Sequence, residues 1–181
     1  MPVYFSTIHT FGTWSEGDPR GYVQRGDGLK ESNDGLANWR KNHRSQGAVE
    51  LDILAQRELH QVVVEVATEH GFLLYTASTT PNHVHQLIAF RSPACKCGAE
   101  RNYCDADCSA RIRVEKYLTR FKRVCGLRLA RLSKLDGRKW FSRGWDITRV
   151  ADFRHFDYLI HEYLPKHVDE GGIVRVYDQP R

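Results

Sequence analysis

Two histidines separated by one apolar residue are the first feature of the sequence that can do chemistry. His83 and His85 open an apolar run that ends at Phe90, and this run predicts a buried strand. Because side chains alternate faces along a strand, both imidazoles project to the same side, where they can share one metal ion. The alternative is a pair of half-exposed histidines on an edge strand, since the His-x-His spacing is common in sequences.

Four cysteines within a short polar stretch form a second group with ligand chemistry. They are Cys95, Cys97, Cys104 and Cys108. Four thiolates are what a closed tetrahedral zinc site requires, and the stretch is too short to hold a core of its own. The sequence therefore predicts a zinc-binding insert over residues 93–109. Reduced loop thiols are the alternative, because the spacing is not one of the common zinc-finger patterns.

The stretch from Asp152 to His167 carries two tyrosines on a predicted helix. Tyr163 and His167 are four residues apart, so on a continuing helix they share a face. Tyr158 lies five residues before Tyr163, about 140° around a regular helix, so both tyrosines cannot face one site unless the helix is distorted. Pro165 removes a backbone donor and can bend the last turn.

Length and composition favour a single folded domain over residues 1–181. The chain has 181 residues, 41% hydrophobic content and four tryptophans, which is enough to bury a core without disulfides. It contains no apolar run long enough to span a membrane, and it does not begin with a signal-peptide pattern. We therefore expect a cytoplasmic protein whose cysteines are reduced or bound to metal.

Patterns of apolar residues predict the strands and helices that position these groups. Predicted strands cover residues 3–11, 73–77, 83–90, 144–150 and 173–177, and predicted helices cover residues 48–70, 110–125 and 152–167. Gly126 is expected to end the second of these helices, and Ser109 is expected to cap it. Residues 12–34, rich in Gly, Asp and Ser, are expected to form a long loop.

Positive charge is concentrated in residues 110–149. This segment carries 13 of the 27 Lys and Arg residues against three acidic ones, whereas the net charge of the whole chain is +5. Such a segment is a reasonable footprint for a polyanion, and a solvated basic helix is the alternative.

Several of these motifs resemble those of a known family. Pro81-Asn82-His83-Val84-His85, followed by an apolar strand, resembles the His-hydrophobic-His (HUH) motif of single-tyrosine transposases. These include bacterial insertion-sequence enzymes and their REP-associated relatives. Tyr4 to Thr7 and Gly12 to Gly21 resemble the first strand and loop of that family, and Trp140 to Gly144 with the helix after it resembles the end. The resemblance covers most of the chain.

The resemblance implies roles for residues of the last predicted helix. In the family pattern an aliphatic residue stands three positions before the nucleophilic tyrosine, and a metal-binding Gln or similar residue stands four positions after it. Ile160, Tyr163 and His167 fit that frame, with His in place of Gln. The resemblance therefore implies that Tyr163 is the nucleophile and that His167 binds metal together with His83 and His85.

Tyr158 is the second candidate nucleophile and fits the same frame less well. The residue three positions before it is His155, and Glu162 occupies the fourth position after it. We therefore expect Tyr163, and not Tyr158, to be the nucleophile.

The activity that the resemblance implies is metal-dependent cleavage and joining of single-stranded DNA. Attack by a tyrosine on a phosphodiester gives a 5′-phosphotyrosine link and a free 3′-hydroxyl, with Mg²⁺ or Mn²⁺ as the divalent cofactor. The expected partner is single-stranded DNA with hairpin structure, and the protein can be a homodimer. Candidate DNA-binding residues are Arg111, Arg113, Lys116, Arg120, Arg123 and Arg143. Trp140, Phe141 and Trp145 either stack unpaired bases or belong to the core.

The resemblance also implies an α+β fold, with a central antiparallel sheet of the ferredoxin-like kind and helices packed on it. Histidine-triad nucleotide hydrolases are disfavoured, because they need a third histidine where this chain has Leu87. Two alternatives remain: an HUH replication-initiator or relaxase-like nickase, and a domesticated, non-catalytic protein that binds DNA hairpins. The short chain, without a helicase or primase extension, favours the transposase.

Overall fold

The computed structural model of the chain describes residues 1–14, 16–19, 21–24, 28–90 and 108–177. The strands are β1 (Val3–His9), β2 (Tyr22–Gln24), β3 (Gly28–Lys30), β4 (Leu73–Thr79), β5 (His83–Ala89), β6 (Asp146–Arg149) and β7 (Ile173–Val176). The helices are α1 (Asp34–Asn42), α2 (Ile53–Glu69), α3 (Ser109–Ser133) and α4 (Phe153–Tyr158). A π-helical turn (Leu159–Tyr163) and a 3-10 turn (Leu164–Val168) continue α4.

A five-stranded antiparallel sheet forms the centre of the fold. Its strand order is β6-β1-β5-β4-β7, and β2 pairs with β3 in a separate hairpin. The order β1-α2-β4-β5-α3-β6 along the chain is the βαββαβ pattern of ferredoxin-like folds, to which β7 adds an edge strand. The predicted α+β class with a central antiparallel sheet is confirmed.

The two faces of the sheet are covered by different elements. Tyr4 and Ile8 of β1 and Ile88 of β5 belong to a core that α2 and α3 complete. The side chains that alternate with them, such as Phe5 and Leu87, lie on the opposite face with the residues that follow α4. The histidines of β5 therefore point away from the two long helices and toward the chain after α4.

The segment before β4 differs from the prediction in two places. Residues 12–34 contain the hairpin β2–β3 and the first residue of α1, and α1 has no buried residue that a periodic apolar pattern could reveal. The predicted helix 48–70 begins only at Ile53, because the Asp52 carboxylate accepts a 2.7 Å hydrogen bond from the Ala55 amide and caps the helix there. The backbone amide of Val49 donates to the carbonyl of Phe11, and this hydrogen bond holds the residues before α2 out of the helix.

The prediction that Gly126 ends the helix predicted over residues 110–125 is wrong. Helix α3 runs through Gly126 to Ser133 and ends where Lys134 adopts a left-handed conformation with φ of 58°. The reason is tertiary packing, because Leu129 beyond the glycine is buried in the core. At the other end, Ser109 is the first helical residue, and Cys108 occupies the cap position without a side-chain cap bond.

Most of the predicted zinc-binding insert lies outside the described residues. Cys95, Cys97 and Cys104 belong to that part, and Cys108 is half-buried at the start of α3. The zinc site and the single-domain boundary therefore stay predictions. No helix of the described residues is long and apolar enough to cross a bilayer.

Candidate metal and tyrosine site

Three histidines meet on the face of the sheet that α2 and α3 leave open. His83 and His85 lie on the same side of β5, and His167 reaches them from the 3-10 turn. One ligand nitrogen of each imidazole lies within 4.8 Å of the others. The ring centroids are 4.5 Å apart for His83 and His85, 5.1 Å for His83 and His167, and 4.7 Å for His85 and His167. We call these three residues the histidine cluster.

Hydroxyl groups from two strands orient the rings of His85 and His167 in the cluster. Nδ1 of His85 is hydrogen-bonded to the hydroxyl of Thr7 at 2.9 Å, and Nδ1 of His167 to the hydroxyl of Ser78 at 3.0 Å. Thr7 of β1 and Ser78 of β4 are the cross-strand partners of His85 on its two sides, so the sheet register places both hydroxyl groups at the cluster. Such a hydrogen bond at one ring nitrogen is typical of histidines that bind metal through the other.

His83 is held in the same way by the turn that precedes it. Its Nδ1 lies next to the side-chain carbonyl of Asn82 and 3.0 Å from the hydroxyl of Thr80. A carbonyl oxygen only accepts hydrogen bonds, so Nδ1 of His83 carries the proton and Nε2 presents its lone pair. The hydroxyl of Thr80 donates to the same carbonyl and locks the turn.

Burial favours the neutral form of His85 and His167, which is the form that metal binding requires. Burial and the neighbouring imidazoles hold the pKa of His85 well below its usual value, and burial also lowers the pKa of His167. At neutral pH both rings are therefore unprotonated at one nitrogen. Metal ligation needs this state, because a protonated imidazole has no lone pair to offer.

An orphaned nitrogen at the centre of the cluster tests whether a cation fits. Nε2 of His85 is buried and has no hydrogen-bond partner among the described residues. A buried polar atom in that state costs free energy unless something binds it. Three imidazoles, each held at Nδ1, therefore fit a divalent cation, and nitrogen ligands suit transition metals better than Mg²⁺.

Tyr163 packs directly against the histidine cluster. Its ring centroid lies 5.6 Å from that of His85 and 5.2 Å from that of His167, both in edge-to-face arrangements. On the other side it contacts Phe5 of β1 at 5.8 Å. The phenol is half-buried, so the chain after α4 presents it beside the cluster and not out in solvent.

The helix that carries both tyrosines is distorted between them. The amide of Leu164 donates to the carbonyl of Leu159, an i to i+5 bond that defines a π turn. As a result the ring centroids of Tyr158 and Tyr163 lie only 6.2 Å apart. On a regular helix the two side chains would point in directions that differ by about 140° around the axis. The sequence predicts that both tyrosines can face one side only if the helix is distorted, and the π turn is such a distortion.

Tyr158 nevertheless occupies a different position from Tyr163. It is 43% exposed, and its described ring contact is with Tyr163 and with none of the three histidines. Pro165 lies near the start of the 3-10 turn, where a residue without a backbone N–H is tolerated. The turn keeps His167 on the same side as Tyr163.

Sequence reasoning missed Gly172, which allows β7 to begin against the cluster. A Cβ at this position would lie 2.2 Å from the carbonyl oxygen of Thr79 and 2.5 Å from that of His167, so no other residue fits. The amide of Gly172 donates to His167 at 2.8 Å. The Gly171-Gly172 pair was the available signal, because adjacent glycines mark a tight backbone approach.

Sequence reasoning also missed His9 and Trp14 at the edge of the cluster. The ring of His9 lies 5.7 Å from that of His83, its cross-strand neighbour, and 4.7 Å from that of Trp14. Trp14 is 37% exposed, so an aromatic surface borders the site. Only the register of β1 against β5 reveals this, since His9 is an isolated histidine in the sequence.

The candidate DNA-binding residues are not brought together with the histidines. Arg111, Arg113, Lys116, Arg120 and Arg123 lie on α3, and Arg143 lies in the loop before β6. Because α3 covers the other face of the sheet, the sheet separates these α3 residues from the cluster. Arg113 donates to the carbonyl of His70 and stacks over Phe90 at 4.6 Å, so part of its role is structural.

The three aromatic residues near the end of the basic segment divide between core and surface. Trp140 is buried at 9% exposure and belongs to the main core. Phe141 and Trp145 are half-buried and pack against that core. Of the two roles left open by the sequence, Trp140 therefore takes the structural one.

Comparison with solved structures identifies a similar protein. No model of a known protein family matches the chain, and no curated protein matches it. A solved structure of a REP-associated tyrosine transposase bound to a REP hairpin is similar over 93% of this chain and 73% of that chain, with 10% sequence identity and a TM-score of 0.42. The neighbour is of the kind that the sequence motifs resemble. A likeness of this extent assigns no role to any residue of this chain.

Proposed function

We propose that the chain is a metal-dependent endonuclease and strand transferase for single-stranded DNA, in which Tyr163 attacks a phosphodiester bound at His83, His85 and His167. The observation that carries this proposal is the packing of the Tyr163 ring within 5.6 Å of His85 and 5.2 Å of His167. A phenol beside three imidazoles combines a candidate nucleophile and a set of candidate metal ligands in one place.

The protein and a bound divalent cation have different roles in the proposed reaction. A tyrosine hydroxyl has a pKa near 10, so at neutral pH it is a weak nucleophile and needs an activated phosphate. A divalent cation bound by the histidine cluster would neutralise the charge on a phosphate oxygen and align the phosphorus for in-line attack. The protein supplies the ligand geometry through Thr7, Ser78 and Asn82, and it supplies the phenol from the π turn.

The proposed step exchanges one phosphodiester for another. The phenol oxygen of Tyr163 forms a bond to phosphorus, the bond from phosphorus to the 3′-oxygen breaks, and the phenolic proton passes through water to the departing 3′-hydroxyl. The product is a 5′-phosphotyrosine link and a free 3′-hydroxyl end. The link keeps the ester energy, so attack by another 3′-hydroxyl can rejoin DNA without ATP.

The test is a covalent-adduct assay on DNA hairpins. The substrates are stem-loop oligonucleotides with randomised single-stranded flanks and a fluorophore at the 3′ end, because the 5′-phosphotyrosine link retains the 3′ fragment. With Mn²⁺, the wild-type protein should give a fluorescent band of protein plus DNA on a denaturing gel. Tyr163→Phe should abolish the band, since phenylalanine keeps the ring contacts and removes only the attacking oxygen.

Tyr158→Phe is the matched control, because it removes the same atom from the neighbouring ring. It should leave the adduct in place, and loss of the adduct in Tyr158→Phe but not in Tyr163→Phe would transfer the nucleophile to Tyr158. If the wild-type protein binds the hairpins tightly and forms no adduct with any of them, it is a non-catalytic hairpin-binding protein and the proposed activity is wrong.

A further inference from the structure

Carboxylates of α2 neutralise only one side of the basic helix α3. Arg120 pairs with Glu69 at 3.2 Å, and Arg128 pairs with Glu58 at 2.9 Å and Glu65 at 2.7 Å. These pairs follow the line where α2 and α3 pack together. The arginines in them are charge-balanced within the protein, so they attract a polyanion less than their number suggests.

The other side of α3 borders an open groove that carries unbalanced charge. The groove has a volume of about 480 Å³ and lies between residues 122–130 of α3 and residues 136–141. Arg123, Arg138 and Lys139 line it. None of the three is paired with a carboxylate among the described ion pairs, and the acidic residue on the groove is Asp136. We call this feature the basic groove.

A neighbouring lysine does not add to this charge in the same way. The ammonium group of Lys122 donates to the carbonyl groups of Ser142, Arg143 and Gly144, and it lies 5.3 Å from the ring of Trp145. Burial lowers its pKa to about 8. Lys122 therefore holds the loop before β6 and is withdrawn by burial. The charged groups that remain on the basic groove belong to Arg123, Arg138 and Lys139. Arg138 donates to the carbonyl of Ala48 at 3.5 Å and Lys139 to the hydroxyl of Ser45 at 3.3 Å, contacts that do not neutralise their charges.

Apolar groups form the floor of the basic groove. Leu127 lines it and is 56% exposed, a large apolar surface for a side chain on a helix. Gly126 and Trp140 also line it. Phe141 completes the apolar lining. Cations around an apolar floor match a nucleotide, which has a charged phosphate and an apolar base face.

The basic groove is joined by backbone hydrogen bonds to the edge of the histidine cluster. The amide of Phe11 donates to the carbonyl of Trp140 at 3.0 Å, and the amide of Ser142 donates to the carbonyl of His9 at 3.0 Å. The ring of His9 in turn lies 5.7 Å from that of His83. The groove therefore lies at the same end of the sheet as His83, and one strand of DNA can pass around that end between them.

We propose that the basic groove binds unpaired nucleotides of the DNA strand whose phosphate reaches the histidine cluster. The bases contact Leu127 and Phe141, and the phosphates contact Arg123, Arg138 and Lys139. A duplex stem exposes phosphates but keeps its base faces stacked inside, so only an unpaired nucleotide can use the apolar floor. This inference rests on the proposed function for its substrate, but the binding itself requires neither metal nor Tyr163.

The test measures affinity for a fluorescein-labelled dT20 oligonucleotide by anisotropy, in EDTA and at 100 mM NaCl. Arg123→Glu should weaken binding at least tenfold, and its control is Arg57→Glu, an exposed arginine of α2 with the same change of charge. Leu127→Glu should weaken binding at least fivefold, and its control is Leu54→Glu on α2, because both leucines are 56% exposed. Both controls should stay within twofold of wild type.

The outcomes separate this inference from the proposed activity. If Arg123→Glu and Arg57→Glu weaken binding equally, or Leu127→Glu and Leu54→Glu do, the effect is one of overall charge and the basic groove is not the binding site. Loss of binding only in the groove variants supports the inference even if no covalent adduct forms with hairpins. Adduct formation with unchanged affinity in the groove variants would leave the proposed activity standing and overturn the inference.

Thermal unfolding of each variant identifies any loss of folding. If Arg123→Glu does not fold, Arg123→Ala replaces it. The slope of log affinity against log salt concentration should then decrease in magnitude by about 0.7 for single-stranded DNA.

Discussion

Replacement of His85 by leucine separates a metal-binding role from a structural one. The imidazole is 3% exposed, and its Nε2 has no partner among the described residues, whereas Nδ1 bonds to Thr7. Leucine has a similar volume and no polar atom. The substitution therefore removes the orphaned nitrogen, which is the proposed metal ligand, and it leaves most of the packing against Phe5 in place.

The expected change in metal-free stability follows from two opposing terms. A buried polar atom without a partner costs about 1–3 kcal/mol, and leucine removes that cost. Loss of the hydrogen bond to Thr7 costs about 0.5–1.5 kcal/mol. In EDTA, the free energy of unfolding of His85→Leu should therefore lie between about 0.5 kcal/mol below and about 2.5 kcal/mol above that of the wild type. A histidine that served only the fold would instead destabilise the protein when replaced.

The expected change with metal has the opposite direction. A ligand present at one hundred times its dissociation constant stabilises the folded state by about 2.7 kcal/mol. For a chain of this length that corresponds to a rise of about 5–11 °C in Tm for the wild type. His85→Leu should lose this rise, because one of three imidazole ligands is missing from a buried site.

The assay is thermal and urea unfolding with EDTA and with Mn²⁺ or Zn²⁺, for the wild type, His85→Leu and His161→Leu. His161 is an exposed histidine of the π turn, so its variant should keep the full metal-dependent rise. The reasoning is refuted if no divalent ion raises the Tm of the wild type, or if His85→Leu loses more than about 1 kcal/mol in EDTA.

Two further predictions concern stability away from the site. Burial lowers the pKa of His60 from 6.5 to about 4, so the unfolded chain takes up a proton that the folded chain refuses between these pH values. The free energy of unfolding should therefore fall by about 2–4 kcal/mol as pH decreases from 6.5 to 4. In urea titrations His60→Gln should lack this part of the decrease in stability. An equal decrease in the wild type and in His60→Gln would contradict the prediction. Gly126→Ala should stabilise the protein by about 0.5–1 kcal/mol, because alanine favours the helix and its Cβ would meet Trp140 at an ordinary 3.9 Å. Destabilisation in that variant would show that the space beside Trp140 is tighter than this distance indicates.

The sheet and the facing of its two histidines could be predicted because local patterns determine them. β-Branched and aromatic residues mark β1, β4 and β5, and each predicted strand overlaps the observed one closely. The side-chain period of two then places His83 and His85 on one face without any tertiary information. Asp152 was a reliable helix start for the same reason, since its carboxylate accepts a hydrogen bond from the His155 amide.

Elements whose stability comes from tertiary contacts were missed or misjudged. Helix α1 buries no side chain, so the apolar period that reveals a helix is absent. Gly126 weakens α3 by about 1 kcal/mol, but burial of Leu129 contributes about 1.5–3 kcal/mol and carries the helix onward. The polar partners of the cluster, Thr7 and Ser78, depend on strand register, which the sequence does not encode in any single motif.

The distortion between the two tyrosines shows most clearly where periodic reasoning stops. Leu159, Ile160, Leu164 and His167 are all buried. On a regular helix these four positions would lie within an arc of about 140°, an ordinary width for a buried face, so their pattern alone does not reveal the distortion. The π turn uses an i to i+5 bond at this point and the 3-10 turn that follows is wound more tightly, so the two deviations oppose each other and the chain stays on the sheet. Tyr163 stands at the junction between them, which is why its ring meets both His85 and His167. A side chain placed by a break in the helix cannot be located by counting 100° per residue, and here only the resemblance to family motifs pointed to Tyr163 as the candidate.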